Sequence, residues 1–369
     1  MSKRTLSRAV VLAALMLPLC VGSAQASELK NVLLLRPDPD HPFWELFEKA
    51  MRAACNDLGC NVVVQKAGWD HFKMIEQLDS SLKQGVKPDV VFFQSYKKNG
   101  ADIIKMLEKA EVNGFMINAG LDEAQLAEMG APREKYKHWI GQMMPDDQGA
   151  GRLTAEILYQ NAKKKNLAVD GKVRFVAIEG NAADGASIAR LKGLKETVAA
   201  HADLELLQVV AGKWETELSH SLAGKLMQRY PQAPVIWAAG DTMAQGVISA
   251  IEEAKKVPGK DILTAGVDWD ETALTSIKNG KLEADAGGHF MEGAWAVVVV
   301  HDYMAGIDFA KDGSPSLASR MGMLTADNLA KYTKKFGTQD FEQIDFKKLS
   351  KKDNPKLKAY DFDMTKLLD

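Results

Sequence analysis

Side chains that bind polar ligands recur just after the predicted strands of this sequence. They are Phe43, Trp44, Gln94, Asn118, Arg190, Trp214, Asp241, Asp268, Trp269 and His289. A carboxylate accepts hydrogen bonds from hydroxyl groups, a guanidinium donates several, and a flat aromatic ring packs against the C–H face of a sugar. Trp69, Tyr96 and Asp184 occupy equivalent positions. The set predicts noncovalent binding of a small sugar or polyol.

These residues also have structural interpretations. One ring of the adjacent pair Phe43 and Trp44 is expected in the core and the other on the ligand. Arg190 can pair with Glu179 or Asp184, and Asp241 can cap the helix that begins at Thr242. Their recurrence at equivalent positions is what favours a binding site.

Enzyme motifs are missing from the sequence. It contains no Gly-x-Ser-x-Gly elbow, no phosphate loop ending in Gly-Lys-Ser/Thr and no His-Glu-x-x-His helix. Thr154 stands where a dinucleotide-binding loop requires its third glycine. Prolines interrupt the calcium-loop-like start at Asp38 and Asp40. We therefore predict no catalytic residue, no cofactor and no metal site.

The elements that position these residues alternate along the chain. Short apolar runs and segments of helical periodicity follow one another, as is typical of βα units in a parallel sheet. Strands are predicted at 31–35, 61–65, 89–93, 115–118, 138–142, 173–179, 205–211, 235–239 and 262–267. Helices are predicted at 43–58, 71–84, 100–110, 149–161, 186–200, 216–228, 243–254, 271–279 and 292–303. The alternation restarts after Asp146, which predicts two similar halves.

Length and charge restrict the function further. The chain has 369 residues, enough for two lobes with separate cores. A formal net charge of −2 offers no basic surface for nucleic acid. In the polar, lysine-rich segment 331–369, the pairs Lys347-Lys348 and Lys351-Lys352 are predicted to lie on a solvated face, and a docking surface for a membrane partner is the alternative.

The first residues predict export. Basic residues at 3, 4 and 8 precede an apolar run at 9–21 and small residues at 24 and 26. This pattern predicts a cleavable signal peptide over residues 1–26 and a location in the periplasm. Cys55 and Cys60 are then the remaining cysteines, and their spacing is compatible with a disulfide or with two inert thiols.

On these residues, the chain resembles the type I periplasmic binding proteins of the ribose- and galactose-binding kind, and within them the LuxP-type autoinducer receptors. The similarity runs from Asn31 to about Asn328, and its most specific parts are segments 32–44, 185–193, 237–246 and 264–268. The resemblance implies an α/β fold of two doubly wound parallel-sheet lobes joined by a three-strand hinge. It implies an N-terminal lobe of residues 27–146 and 289–323 and a C-terminal lobe of residues 147–288 and 324–369. Crossovers are expected near Asp146, His289 and Leu324.

The resemblance also implies residue roles. Phe43 and Trp44 look like the family's stacking rings, and Asn118 like its polar contact after the fourth strand. Arg190 looks like its cleft arginine, and Asp241 and Asp268 like its hydroxyl-binding carboxylates. Glycine at 240 and Gly288-His289 depart from the usual pattern, so they leave the ligand's identity open.

The resemblance implies a monomeric solute-binding protein without catalytic activity. Such a protein closes on a sugar-like ligand and delivers it to the membrane permease of an ABC importer. The alternative is a LuxP-like receptor that signals its closed state to a membrane sensor kinase or chemoreceptor. A periplasmic hydrolase or oxidoreductase requires catalytic residues, and a sugar-responsive repressor requires an N-terminal helix-turn-helix, and the sequence shows neither.

Overall fold

Strands and helices alternate through the first half of the chain. The structure, a computed structural model, describes residues 27–84 and 87–368, so the predicted signal peptide at 1–26 lies outside the described residues. The elements are β1 (Asn31–Arg36), α1 (Pro42–Leu58), β2 (Asn61–Lys66), α2 (His71–Leu82), β3 (Val90–Phe93), α3 (Gly100–Ala110), β4 (Asn113–Ile117), α4 (Glu123–Met129) and β5 (Trp139–Pro145).

The second half repeats this alternation and ends in shorter elements. They are α5 (Asp147–Lys164), β6 (Val173–Glu179), α6 (Gly185–Ala200), β7 (Leu204–Ala211), α7 (Thr216–Arg229), β8 (Val235–Ala238), α8 (Asp241–Glu253), β9 (Gly266–Val267), α9 (Glu271–Lys278), β10 (Asp285–Gly287), α10 (Glu292–Met304), β11 (Ser316–Ser319), β12 (Gly322–Leu324) and α11 (Leu329–Phe336). Short 3-10 helices lie at His289–Met291, Phe309–Asp312, Phe346–Leu349 and Met364–Leu368.

The strands form two lobes. In the first lobe, six parallel strands take the order β11-β5-β4-β3-β1-β2. The second lobe contains the parallel sheet β7-β6-β8 and the sheet β12-β10-β9, in which only β10 and β12 are antiparallel. A bridge from Val235 to Leu263 connects the two smaller sheets. The predicted fold of two doubly wound lobes is confirmed.

Burial on both faces explains why β1 is a continuous apolar run. Successive side chains of a strand point to opposite faces. Val32 and Leu34 pack with α1 and α10 on one face, whereas Leu33 and Leu35 pack with α2 and α3 on the other. This interior strand therefore has no solvent-facing side to fill with polar residues.

The chain crosses between the lobes three times before its last helix. The crossings lie between β5 and α5, between β10 and α10, and between β11 and β12. The first and third run side by side, because β11 pairs with β5 up to Ser319 and Pro145. The third crossing was predicted near Leu324, but β12 already pairs with β10 from Gly322. The lobe boundary there lies near residue 320, since backbone pairing decides it.

Residues 325–368, here called the tail, pack against both lobes. In this tail, α11 packs on α9 of the second lobe, while the short helix Phe346–Leu349 packs on α1 and α10 of the first lobe. Lys347, Lys348 and Lys352 are exposed, as predicted for a solvated face, but the tail is not confined to the second lobe. The reason is that the tail carries apolar side chains that join the core, namely Leu329, Tyr332, Phe336, Phe341, Ile344, Phe346 and Met364.

The tail also explains the composition of α10. Residues 294–300 of this helix are all buried, and Phe362 of the tail packs against Trp295 with ring centroids 5.7 Å apart. A helix that is apolar on every side has to be covered on every side. Within the described ranges, no helix is both long and apolar enough to cross a membrane.

A disulfide lies beside the site where the tail meets the first lobe. Cys55 and Cys60 are bonded, with Cα atoms 4.6 Å apart. Between them, Asp57 accepts hydrogen bonds from the backbone N–H groups of Phe346 and Lys347 at 2.7 and 3.2 Å. The loop closed by the disulfide thus holds Asp57, whose carboxylate binds this part of the tail.

Candidate functional site

A cavity lies between the lobes, where the carboxyl ends of their strands face each other. It has about 490 Å³ of space between protein atoms, part of it open to solvent. Its lining residues are His41, Phe43, Trp44, Trp69, Gln94, Tyr96, Asn118, Asp184, Ala186, Arg190, Trp214, Asp268 and His289. Eight of the ten predicted residues are brought together here, because βα loops of both lobes converge at this edge.

Unusual backbone conformations aim several of these side chains into the cavity. Trp69, Asn118 and Trp214 have φ values of 62–66°, and Asp268 has a φ of 139°. Such values cost energy for residues other than glycine and are common at functional sites. These positions follow strands of both lobes, and each of the four side chains lines the cavity.

Aromatic rings form the walls of the cavity. Phe43 stacks on His289 with ring centroids 4.6 Å apart, and it meets Trp44 edge-to-face at 5.2 Å. The prediction that one of the adjacent pair packs in the core and the other faces ligand is corrected, because Phe43 and Trp44 each do both. They lie in the first turn of α1, where each ring packs in the core and also lines the cavity.

Arg190 is held in place from several sides. Its Nε donates to Asp147 Oδ1 at 2.7 Å and its Nη1 donates to the backbone oxygen of Ala239 at 2.7 Å. Asp268 Oδ1 lies 3.7 Å from Nη1, and His289 Nε2 lies 3.3 Å from Nη2. The predicted pairing partner was Glu179 or Asp184, whereas the structure gives Asp147 at the first crossing. The guanidinium is therefore fixed before any ligand arrives.

Burial changes the ionisation of the groups around Arg190. It raises the pKa of Asp268 to about 7, although the guanidinium of Arg190 opposes this shift. Burial also raises the pKa of Asp184, which accepts a hydrogen bond from the indole N–H of Trp214 at 3.0 Å. Burial and the charge of Arg190 lower the pKa of His289 well below its usual value, so this ring is neutral near pH 7.

Two predicted residues lie outside the cavity. Asp241 is the first residue of α8 and accepts a hydrogen bond from the backbone N–H of Asp270 at 2.9 Å. Burial and Asp285 raise the pKa of Asp241 well above its usual value. Trp269 is fully buried, and its indole donates to the backbone oxygen of Asp285 at 2.8 Å. Both predictions are corrected, because Asp241 binds the backbone of Asp270, Trp269 packs in the core, and neither side chain lines the cavity.

His41 lines the cavity and was missed from the sequence. Both of its ring nitrogens are buried and have no hydrogen-bond partner among the described residues. Its ring meets Trp69 edge-to-face at 6.1 Å. A signal was available, because His41 directly precedes the helix-starting Pro42 and lies two residues before Phe43.

The cavity has the groups for hydrogen bonding and stacking. Among the described residues, no set of three or more histidine, cysteine or acidic side chains is placed to hold a metal ion. The lining residues can accept hydrogen bonds through Asp184 and Asp268 and donate them through Arg190 and Gln94. The arrangement suits a compact ligand with several hydroxyl groups and an apolar ring face.

Known proteins share this sequence pattern and fold. The family model described as "Periplasmic binding protein domain" matches residues 32–308. The chain is 20% identical to a D-apiose import binding protein of Paraburkholderia graminis, over 75% of this chain and 81% of that protein. It is 31% identical to the D-allose-binding periplasmic protein of Escherichia coli, over 66% of this chain and 74% of that protein.

A solved structure agrees closely in fold. The chain is similar to a periplasmic sugar-binding protein from Pseudomonas fluorescens, with a TM-score of 0.83 and 28% sequence identity. The superposition covers 92% of this chain and all of that one, so the tail is largely included.

Proposed function

Because this chain belongs to the periplasmic binding protein family and is a binding protein rather than an enzyme, we propose that it closes on a small neutral sugar in the periplasm and delivers it to the membrane permease of an ABC importer. The observation that carries the proposal is a cavity lined from both lobes by aromatic rings and hydrogen-bonding side chains. The related proteins named as D-apiose and D-allose binders support a sugar as the ligand class.

The charges on the cavity walls favour a neutral ligand. The lining carries two carboxyl groups, Asp184 and Asp268, against one guanidinium. That guanidinium is already paired with Asp147. An anionic ligand would find no uncompensated positive charge here, whereas hydroxyl groups can donate to the carboxylates and accept from Arg190.

Closure of the two lobes would be the output. Phe43 and Gln94 come from the first lobe, and Trp214 and Asp268 from the second, so a ligand that contacts all four favours the closed arrangement. We propose that the lobes move about the three crossings, that residues 1–26 direct export, and that the protein acts as a monomer. A permease would then recognise the surface formed by the closed lobes.

A thermal-shift screen tests this function. Refolded protein of residues 27–369 is mixed with D-allose, D-apiose, D-ribose, D-galactose, myo-inositol, amino acids and nucleosides. A ligand at a hundred times its Kd stabilises the folded state by about 2.7 kcal/mol, which is readily detected. We expect a shift with one or a few of the sugars. A shift only with amino acids or nucleosides would overturn the proposed ligand class.

Ligand affinity is expected to rise with pH through about 7. Sugar hydroxyls donate to the ionised carboxylate of Asp268, so binding requires the loss of a proton from this group when the pH is below its pKa of about 7. Affinity at pH 6 is then about tenfold weaker than at pH 8. His289 stays neutral over this range and adds nothing to the slope. Isothermal titration calorimetry at several pH values measures the effect.

The matched variant for this prediction is Asp268→Asn, which should bind weakly and without a slope between pH 6 and 8. If the variant keeps the slope of the natural protein, another group is responsible.

The raised pKa of Asp268 also affects stability, because the folded protein holds this proton more tightly than the unfolded chain. Asp268 therefore stabilises the folded state less as pH rises from 3.8 to about 7.

A further inference from the structure

A buried carboxyl group occupies the place where the hinge meets the cavity. Glu292 is the first residue of α10, directly after the second crossing, and it has no exposed surface. It does not line the cavity and none of the roles described above uses it. A buried carboxyl group is costly unless its oxygens are bound, so the partners of Glu292 show what it holds.

The two oxygens of this carboxyl group bind two different parts of the protein. Oε2 accepts a hydrogen bond from the backbone N–H of Asn118 at 3.1 Å. Oε1 accepts one from the hydroxyl of Ser319, the last residue of β11, where the third crossing begins. One side chain thus connects a cavity loop to two crossings.

The backbone of Asn118 makes a sharp turn beside the cavity. It follows β4 with a φ of 62°, a left-handed conformation that asparagine adopts more readily than most other residues except glycine. Its side chain lines the cavity. Its backbone N–H is shared between Glu292 and the backbone oxygen of Met143 in β5, also at 3.1 Å. The sharp turn at Asn118 therefore depends on the strand beside the first crossing and on Glu292.

We propose that Glu292 is a positioning residue that ties the ligand-facing Asn118 to the third hinge crossing, so that lobe movement and the placement of Asn118 are coupled. The inference rests on the proposed function, because it assumes that the cavity binds a sugar. A purely structural Glu292 would affect the stability of the hinge without affecting the affinity of folded protein for its ligand.

The test compares three variants of the mature protein. Glu292→Ala removes both hydrogen bonds, whereas Glu292→Gln can keep both, since its amide oxygen accepts from Asn118 and its amide nitrogen donates to the Ser319 oxygen. Ser319→Ala removes only the contact with the third crossing. The Kd for D-allose, or for the panel sugar with the largest thermal shift, is measured by calorimetry on protein shown to be folded by circular dichroism.

We expect Glu292→Ala to raise Kd at least tenfold, Ser319→Ala to raise it about threefold, and Glu292→Gln to stay within a factor of two of the natural protein. Glu271→Ala is the matched control, because Glu271 also begins a helix but is exposed, and its Kd should not change. An unchanged Kd in folded Glu292→Ala overturns the proposal, as does a Glu292→Gln variant as weak as the alanine variant. If Glu292→Ala does not fold, an unchanged Kd in Ser319→Ala also overturns the proposal.

A measurement without ligand separates this inference from the proposed function. If no sugar binds the natural protein, the function fails, but the coupling can still be examined by hydrogen exchange of segment 117–120. Faster exchange in Glu292→Ala than in Glu292→Gln would support the tie to Asn118, and equal exchange would overturn it.

Discussion

Replacing Arg190 by alanine is expected to weaken sugar binding at least 100-fold and to lower the free energy of unfolding by about 3–5 kcal/mol. The loss of binding follows from its position on the cavity wall, where it is the one guanidinium. The loss of stability follows because Asp147 stays buried without its partner 2.7 Å away. The measurements are calorimetry with the sugar found in the screen and urea denaturation.

Two further variants make this expectation specific. Arg152→Ala is the control, because Arg152 lies in the neighbouring helix, is half exposed and pairs with Glu196 at 3.6 Å. It should change stability by less than about 1 kcal/mol and leave affinity unchanged. The double variant Arg190→Met with Asp147→Asn should recover part of the stability but none of the binding. If Arg190→Ala binds sugar normally, the site assigned here is wrong.

Replacing Asp302 by alanine is expected to release the tail from the first lobe at a cost of about 3–5 kcal/mol. This fully buried carboxylate of α10 accepts hydrogen bonds from four tail groups. These are the hydroxyl of Ser350 at 2.6 Å, the backbone N–H groups of Lys351 and Lys352 at 2.6 and 3.1 Å, and the hydroxyl of Tyr360 at 2.8 Å. Without Asp302, four donors lose their acceptor, and the apolar residues of α10 that the tail covers become accessible.

Limited trypsin digestion and urea denaturation measure the release. The many lysines of the tail should be cut faster in Asp302→Ala, and mass spectrometry should locate the first cuts after residue 330. Asp312→Ala serves as the control, since Asp312 pairs only at the surface with Lys351 of the same tail region. It should cost less than about 1 kcal/mol. Equal trypsin sensitivity in the two variants would contradict a docking role for Asp302.

The composition of the tail did not predict that the tail is partly buried. Its lysines predicted a solvated face, and most of them are indeed on the surface. The evidence for a buried tail lay elsewhere in the sequence, in the uninterrupted apolar residues at 294–300. A helix with no polar side requires a cover, but the sequence does not say which distant segment provides it.

The two aspartates that follow strands of the second lobe show a second limit. Asp268 and Asp241 stand at similar places in the sequence, and both were predicted to bind hydroxyls. Asp268 has a φ of 139° and faces the cavity, whereas Asp241 is already in the first turn of α8 and points toward Asp270. A difference of one or two residues between strand end and helix start decides the direction of the side chain.

The sequence by itself determined the alternation of strands and helices, the two lobes, and the strand ends at which the cavity residues lie. Those properties follow from periodicity and from the geometry of parallel sheets, in which the carboxyl ends share an edge. The tertiary structure alone decided which side chains turn into the cavity, that Asp147 pairs with Arg190, that Glu292 joins Asn118 to Ser319, and where the tail docks. These outcomes depend on backbone angles and on contacts between residues far apart in the chain, and a local pattern of residue types specifies neither.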